Sequence, residues 1–279
     1  MATTSDNVDH EGRVIDFGRT AVDYELFRPG FPDSFFDRLT EEGWISAGQR
    51  VLDLGTGTGT LALGFASRGL HATGLDVAPE LLEVAQRLAS DEGLDARFVK
   101  GEAEATGRED DSFDIVSAGQ CWWWFDSDAA VSEASRVLVP GGRLVIASFS
   151  YLPIAGNVAG RTEDLILEHN RGWPMAGGSR VHPEHVEALD RGGYRQVECF
   201  SYTIDVPFTH EAWLGRVRTC NGVGSALTAT EVELFDSELA ELLASEFPGD
   251  LAVPHRVFVA SGVRPPHMGR SSHGVTLGT

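Results

Sequence analysis

The run Val51-Leu-Asp-Leu-Gly-Thr-Gly-Thr-Gly-Thr60 constrains this chain more than any other stretch. An apolar strand enters three glycines at alternate positions and leaves them as a helix. Gly55, Gly57 and Gly59 lack a Cβ, so their backbone can take positive φ and lie at van der Waals distance from a ligand. Asp53 sets a fixed carboxylate beside the turn, which suits a cationic amine better than a phosphate. The pattern predicts a nucleoside-binding strand-turn-helix at the head of an α/β unit.

The elements that follow repeat this unit. Leu61 to Arg68 has helical periodicity closed by Gly69, and His71 to Val77 reads as a second strand. Pro79 opens a helix that ends near Gly93, Arg97 to Lys100 makes a third strand and Phe113 to Ala118 a fourth. A helix over Asp128 to Leu138 and the Pro140-Gly141-Gly142 turn lead into a fifth strand, Arg143 to Phe149. Repeated β-α-β predicts a parallel sheet with helices on both faces. After Ser150 the pattern loosens into a helix with long loops inserted over the ligand face, the kind of insertion that builds a substrate pocket. A helix over Pro183 to Arg191, a strand over Gln196 to Val206, an amphipathic helix over Thr228 to Phe247 and a strand over Arg256 to Ser261 complete the pattern.

Composition narrows the partners. The 279 residues carry 22 Lys and Arg against 42 Asp and Glu, a net charge of −20, which repels phosphate backbones and anionic membranes. Nucleic acid and membrane are therefore not expected as partners. Cys121, Cys199 and Cys220 are odd in number and lack C-x-x-C spacing, against a disulfide framework or structural zinc. No export signal or long apolar run is seen, so a soluble cytoplasmic protein is expected, as monomer or homodimer.

A dinucleotide turn reads G-x-G-x-x-G, and here the third glycine comes one residue early. The spacing D-x-G-x-G-x-G from Asp53 to Gly59 instead resembles motif I of the class I S-adenosylmethionine-dependent methyltransferases. That resemblance implies that Asp53 faces the methionine amine and that Gly55, Thr56, Gly57 and Gly59 lie under methionine and ribose. Asp76, 21 residues after Gly55 at the end of the second strand with Val77 beside it, is placed to accept from both ribose hydroxyls. Gly101-Glu102-Ala103-Glu104 resembles the G-D-A-E segment of the ubiquinone-biosynthesis-like members, with Glu102 and the Ala103 N–H as adenine contacts. Tyr24-Glu-Leu-Phe-Arg28-Pro-Gly-Phe-Pro32 is similar to a lid element of that family. It implies that Tyr24 approaches the methionine moiety and that Arg28 holds a carboxylate of cofactor or substrate.

The fourth strand ends in Gly119-Gln120-Cys-Trp-Trp-Trp-Phe125. Gln120 is placed to meet the sulfonium end, and Trp122 and Trp123 to wall a flat substrate, with Trp124 and Phe125 read as core. Trp123 stands where many relatives have histidine, which removes a general base. The whole resembles a type 11 methyltransferase of the trans-aconitate-methyltransferase-like group. It implies a Rossmann-like sheet of seven mostly parallel strands with an N-terminal lid and a cap inserted after the fifth strand. The expected layout is a disordered 1–13, a methyltransferase domain over 14–264 and a flexible tail over 265–279. Within the domain, the core spans 45–150 and the cap about 151–181 and 208–226.

Methyl transfer from S-adenosylmethionine to a small metabolite at oxygen, nitrogen or carbon is the expected activity. Non-catalytic binding of that cofactor, or nicotinamide-dependent oxidoreduction, is the alternative. Catalytic residues are not fixed by the sequence. His169, His182, His185, His210, His255 and Tyr24 are candidates for a base, with His169 preferred beside Asn170 and Trp173 in the inserted segment. Arg218 and Asn221 join Trp173 in the acceptor pocket by resemblance. His182-Pro-Glu-His185 has metal-binding spacing, but His182 sits at a helix N-cap before Pro183, so no metal is expected.

Overall fold

A computed structural model describes residues 26–265 together with Asp23. The expectations for residues 1–13, for Tyr24 and for the tail from residue 266 fall outside them. Seven strands form one sheet: β1 (Arg50–Leu54), β2 (His71–Asp76), β3 (Ala96–Lys100), β4 (Phe113–Gly119), β5 (Leu138–Tyr151), β6 (Arg195–Phe208) and β7 (Leu251–Val263). Their order is β3-β2-β1-β4-β5-β7-β6. The first five are parallel neighbours, and β7 runs antiparallel to β5 and β6. This is the Rossmann-like, mostly parallel sheet the glycine turn implied.

Alternation along the strands makes both faces apolar, as a sheet covered on two sides requires. On one face Leu52, Leu54, Val116 and Ile146 pack with α4 (Ser127–Val137) and α6 (Pro183–Arg191) through Val131 and Leu189. On the other, Val51, Ile115 and Val145 meet α1 (Asp33–Glu41), α2 (Thr60–Ala66) and α3 (Pro79–Glu92) through Phe36, Phe65 and Ala89. Pro79 at the first turn of α3 and Gly93 at its end, with φ 65°, fix the limits of that helix.

A third core lies where Tyr151, Phe208, Leu251 and Val253, at the ends of β5, β6 and β7, meet a layer of helices. There α5 (Val158–His169), α7 (His210–Arg218) and α8 (Ala229–Glu246) bury Ile166, Trp213, Phe235 and Leu239 against one another. α8 begins in a reciprocal Thr228–Glu231 capping box. α8 thus packs with helices from the segments 151–181 and 208–226 in one layer. β6 and β7 are longer than the 196–206 and 256–261 expected, because they pair along their whole length from Phe208–Leu251 to Arg195–Val263. Partnering set their ends, which local propensity does not report.

β1 has β2 on one side and β4 on the other. Connections leaving these strands diverge at that point, and the divergence opens a crevice at the carboxyl ends of the strands.

Candidate active site

The glycine turn builds the floor of the crevice. Gly55, Gly57 and Gly59 all have positive φ, at 60°, 55° and 85°. They serve different ends. A Cβ at Gly55 would lie 2.8 Å from Cys121 Sγ, and one at Gly59 3.1 Å from Ala85 and the Phe98 ring, so these two permit close packing of the turn against its neighbours, Gly55 at the cavity wall and Gly59 away from it. A Cβ at Gly57 would meet nothing within 4 Å, and Gly57 lines a cavity of about 430 Å³. Of the three, Gly57 therefore leaves the most open space over its backbone for a ligand.

Asp76 faces the same cavity from the end of β2. Its Oδ2 accepts from the Gly57 N–H at 2.8 Å and its Oδ1 from the Ala78 N–H at 2.9 Å. Burial raises its pKa, while the Ala78, Gly57 and Val77 amides counter part of that rise. A carboxylate oxygen has more lone pairs than these bonds use, so both can accept from vicinal hydroxyls. Val77 lines the cavity beside it.

Asp53 is placed differently from the sequence reading. It is 2% exposed and is not among the residues lining the cavity. Thr56 Oγ1 donates to its Oδ2 at 2.6 Å and Ser117 Oγ to its Oδ1 at 2.7 Å. It pins the turn and β4 from beneath, and Thr56, which does line the cavity, stands between it and the ligand space. Burial pushes the Asp53 carboxyl up to about 7, against the Thr56 and Ser117 hydrogen bonds and with a contribution from the Asp76 charge.

Gly101 and Ala103 line the cavity wall after β3, but Glu102 and Glu104 do not. A small Glu102–Ala105 bridge turns alternate side chains outward, leaving Glu102 exposed, and Glu104 accepts from the Asp126 N–H at 2.8 Å. Of the segment read as the adenine side, Gly101 and Ala103 thus face the cavity, while Glu102 and Glu104 turn elsewhere.

The aromatic run is a turn of 3-10 helix, Trp122–Trp124, in which successive side chains point about 120° apart. Trp122 turns into the core, 4% exposed, with its indole N–H on Ser127 Oγ at 3.1 Å. It is removed from the acceptor wall where the sequence placed it. Trp123 lines a smaller cavity of about 90 Å³, and Trp124 lines both cavities. Phe125 lines the larger one. Trp124 and Phe125 pack against the core, as the sequence reading had it for one or the other, and each also presents an edge to the larger cavity. Gln120 also borders both cavities, and its amide donates to the Phe149 carbonyl at 2.5 Å and to Ser150 Oγ at 3.0 Å. Its φ of 63° is costly for a non-glycine residue and is held by these bonds.

The smaller cavity is closed by the cap. Trp173, Met175 and Asn221 line it, and Asn221 Oδ1 accepts from the Trp173 indole at 2.9 Å. Arg28 and Arg216 border both cavities and meet at Thr219, Arg28 through its carbonyl at 3.5 Å and Arg216 through its hydroxyl at 3.1 Å. Arg216 was missed in the sequence, where Arg218 was chosen. Two residues apart on α7 is about 200° of rotation. Arg218 accordingly points away, to Asp23 at 2.9 Å and Asp236 at 2.9 Å.

His169 and Asn170 also lie off both cavities. His169 Nε2 is 2.8 Å from Glu238 and its ring is edge-on to Phe235, while Asn170 donates to the Gly222 carbonyl at 3.2 Å. Buried His255 and His185 are held near 3 and 4 mainly by desolvation, and His210 is bound to the Phe247 carbonyl. His182 alone among the histidines of the described residues borders either cavity. It occupies the N-cap of α6 without capping it. Its Nδ1 is 2.9 Å from Glu184, and its ring stacks on His185 at 4.9 Å. Potential ligand atoms of His182, Glu184 and His185 lie within 4.8 Å of one another.

The residues present fit S-adenosylmethionine: an open glycine cradle, a backbone-held acid for the ribose, an alanine amide for a ring nitrogen and aromatic walls. Residues 52–146 match the methyltransferase domain family. An uncharacterized methyltransferase of Mycobacterium tuberculosis is 39% identical over 130 residues, 47% of this chain and 50% of that protein. The chain thus spans about half the length of the curated relatives it matches. Among solved structures, a candidate type II methyltransferase from Anaeromyxobacter dehalogenans superposes with TM-score 0.65 at 24% identity, over 86% of this chain and all of the other. Phosphoethanolamine N-methyltransferase 2 of Haemonchus contortus, solved with S-adenosylhomocysteine, superposes with TM-score 0.55 at 20% identity, over 88% of this chain and 57% of the other. With the glycine turn and these matches, residues 52–146 carry a type 11, S-adenosylmethionine-dependent methyltransferase domain, on a fold the solved structures share.

Proposed function

We propose that this chain methylates a small, flat, partly apolar metabolite at oxygen, nitrogen or carbon. The observation that carries the reading is the junction of two cavities, one sized for a nucleoside and one walled by Trp123, Trp173 and Met175, across Gln120, Trp124, Arg28 and Arg216. Bound S-adenosylmethionine supplies a methyl group already activated by its sulfonium. What the protein must add is alignment and exclusion of water. Gly57 and Asp76 fix the nucleoside end, and Gln120, tethered to the end of β5, fixes the edge of the junction. Trp124 borders both cavities and places an aromatic face between the two ligands. Where the acceptor must lose a proton, His182 is the candidate base. Tyr151, which also lines the smaller cavity, has its hydroxyl pKa raised well above the ordinary value by burial.

The small acceptor cavity and the −20 charge support a metabolite over a nucleic acid or a membrane lipid. Mass-labelled S-adenosylmethionine incubated with a metabolite panel tests the reading directly. Transfer of the label to a panel member is expected. If S-adenosylhomocysteine binds yet no member gains mass, the chain is a cofactor-binding protein instead. Thermal stabilisation by NAD and not by S-adenosylhomocysteine would overturn the methyltransferase reading altogether. Asp76→Ala should weaken S-adenosylhomocysteine by about 100-fold, the loss of two hydrogen bonds to a charged acceptor. Unchanged affinity would remove the ribose role.

A further inference from the structure

Arg216 is a buried cation without a counter-charge. It is 3% exposed, and no carboxylate lies within ion-pair distance of it among the described residues. Its Nη1 donates to Thr219 Oγ1 at 3.1 Å and contacts Cys220 Sγ at 3.5 Å, and its guanidinium lies 5.2 Å from the centre of the Tyr151 ring. The other edge is free. Nε is buried with no hydrogen-bond partner, and Nη2 has none among the described residues. Burying an unpaired charge is strongly unfavourable, so one kept in a cavity wall directs attention to a ligand that would pair with it.

The free edge specifies the ligand. Nε–H and Nη2–H point in parallel, a fork that fits the two oxygens of a carboxylate. A second donor belongs to a residue of the same wall: Trp123 lines the small cavity, and its indole N–H is buried and likewise unpartnered. Arg180, also in that wall, is already paired with Glu163 and gives no free charge. The open edge of Arg216 and this neutral donor together suit one carboxylate. All this stands in a molecule of net charge −20, whose surroundings would otherwise repel an anion.

We propose that Arg216, with Trp123, anchors a carboxylate of the methyl acceptor, so that the substrate is a small flat carboxylic acid held by its anionic group. The proposal rests on the methyltransferase reading above and gives it a substrate class. The anchored carboxylate is not the group methylated. It fixes the ring between Trp123 and Trp173 while another atom faces the junction.

The test uses the full chain saturated with S-adenosylhomocysteine, titrated with benzoate and indole-3-carboxylate and with the amide of each. Wild-type protein is expected to prefer acid over amide by roughly 10-fold or more, the worth of a charge-assisted hydrogen bond. Arg216→Gln is expected to abolish that preference while changing S-adenosylhomocysteine affinity by less than about threefold. Trp123→Phe, which removes one N–H and keeps the aromatic wall, is expected to cut the preference by about threefold to tenfold. It reports on the site even if Arg216→Gln does not fold. No acid preference in the wild type overturns the proposal. So does an Arg216→Gln protein that loses S-adenosylhomocysteine affinity but keeps that for 5′-methylthioadenosine, since the carboxylate would then be the cofactor's. If S-adenosylhomocysteine fails to bind the wild type, the methyltransferase reading itself falls, a result distinct from either.

Discussion

Gly55 and Gly57 sit two residues apart in one turn, yet substituting them should have different main consequences, stability at one and ligand affinity at the other. Alanine at 55 brings a Cβ to 2.8 Å from Cys121 Sγ at a φ of 60°, so overpacking adds to backbone strain. The expected cost in urea unfolding is about 2–4 kcal/mol. Alanine at 57 meets nothing within 4 Å and should cost only the left-handed backbone, about 1–2 kcal/mol. Its methyl would, however, occupy the cradle, so S-adenosylhomocysteine affinity should fall more for Gly57→Ala than stability does. A larger stability loss at 57 than at 55 would contradict this division. The sequence shows three glycines and cannot show which of them faces out, because that depends on Cys121 and Phe98, far along the chain. The same limit explains Arg216. A pair of arginines on α7 is visible in the sequence, but the half-turn between them matters only once Asp23 and Asp236 are seen to claim Arg218. Asp76 was legible because a fixed interval from the glycine turn ties it to the end of the neighbouring strand.

Among the elements, β7 carries the acid sensitivity of the fold. His255 on this strand is fully buried, with Nδ1 2.9 Å from the Val253 carbonyl, Nε2 unpartnered, and the Phe149 and Phe208 rings against it. Desolvation holds its pKa down to about 3 from 6.5, with further depression by the Arg216 and Arg28 charges. Between those values the unfolded chain takes a proton that the folded chain refuses. Stability from this group is therefore complete above pH 6.5 and is lost as pH falls toward about 3. Buried His185, held near 4, adds in the same direction. Asp53 acts oppositely: with its pKa raised to about 7, the folded state keeps a proton that the unfolded chain releases, and this contribution fades as pH rises through 7. His255→Phe, which preserves the ring packing, should move the acid-unfolding midpoint to lower pH, as followed by fluorescence. An unmoved midpoint would assign the sensitivity elsewhere. The parallel strands were legible because each is a short apolar run between turn signals. The turn at Trp122–Trp124 was not, since a period of three over three residues leaves no pattern to read.

For the whole molecule, charge is the dominant feature. At −20, repulsion between surface carboxylates opposes compactness, while exposed pairs such as Arg161–Glu246 and Arg191–Asp128 each return little. Raising salt shortens the screening length from about 10 Å at 0.1 M to about 3 Å at 1 M and weakens both. Net repulsion is the larger, so the thermal midpoint should rise with sodium chloride. A falling midpoint in differential scanning fluorimetry would show that the ion pairs outweigh it. Sheet order has another consequence at this scale. β7 is the last of the described strands in the chain but lies between β5 and β6. During synthesis, β5 can join the parallel strands while its outer edge stays open, and β6 pairs only with a strand not yet made. The sheet is finished in one late step, when residues 251–263 leave the ribosome and slide between two waiting edges. Until then the nascent chain exposes a long apolar strand edge, the kind of surface that chaperones hold and that pairs with its own copies when they do not.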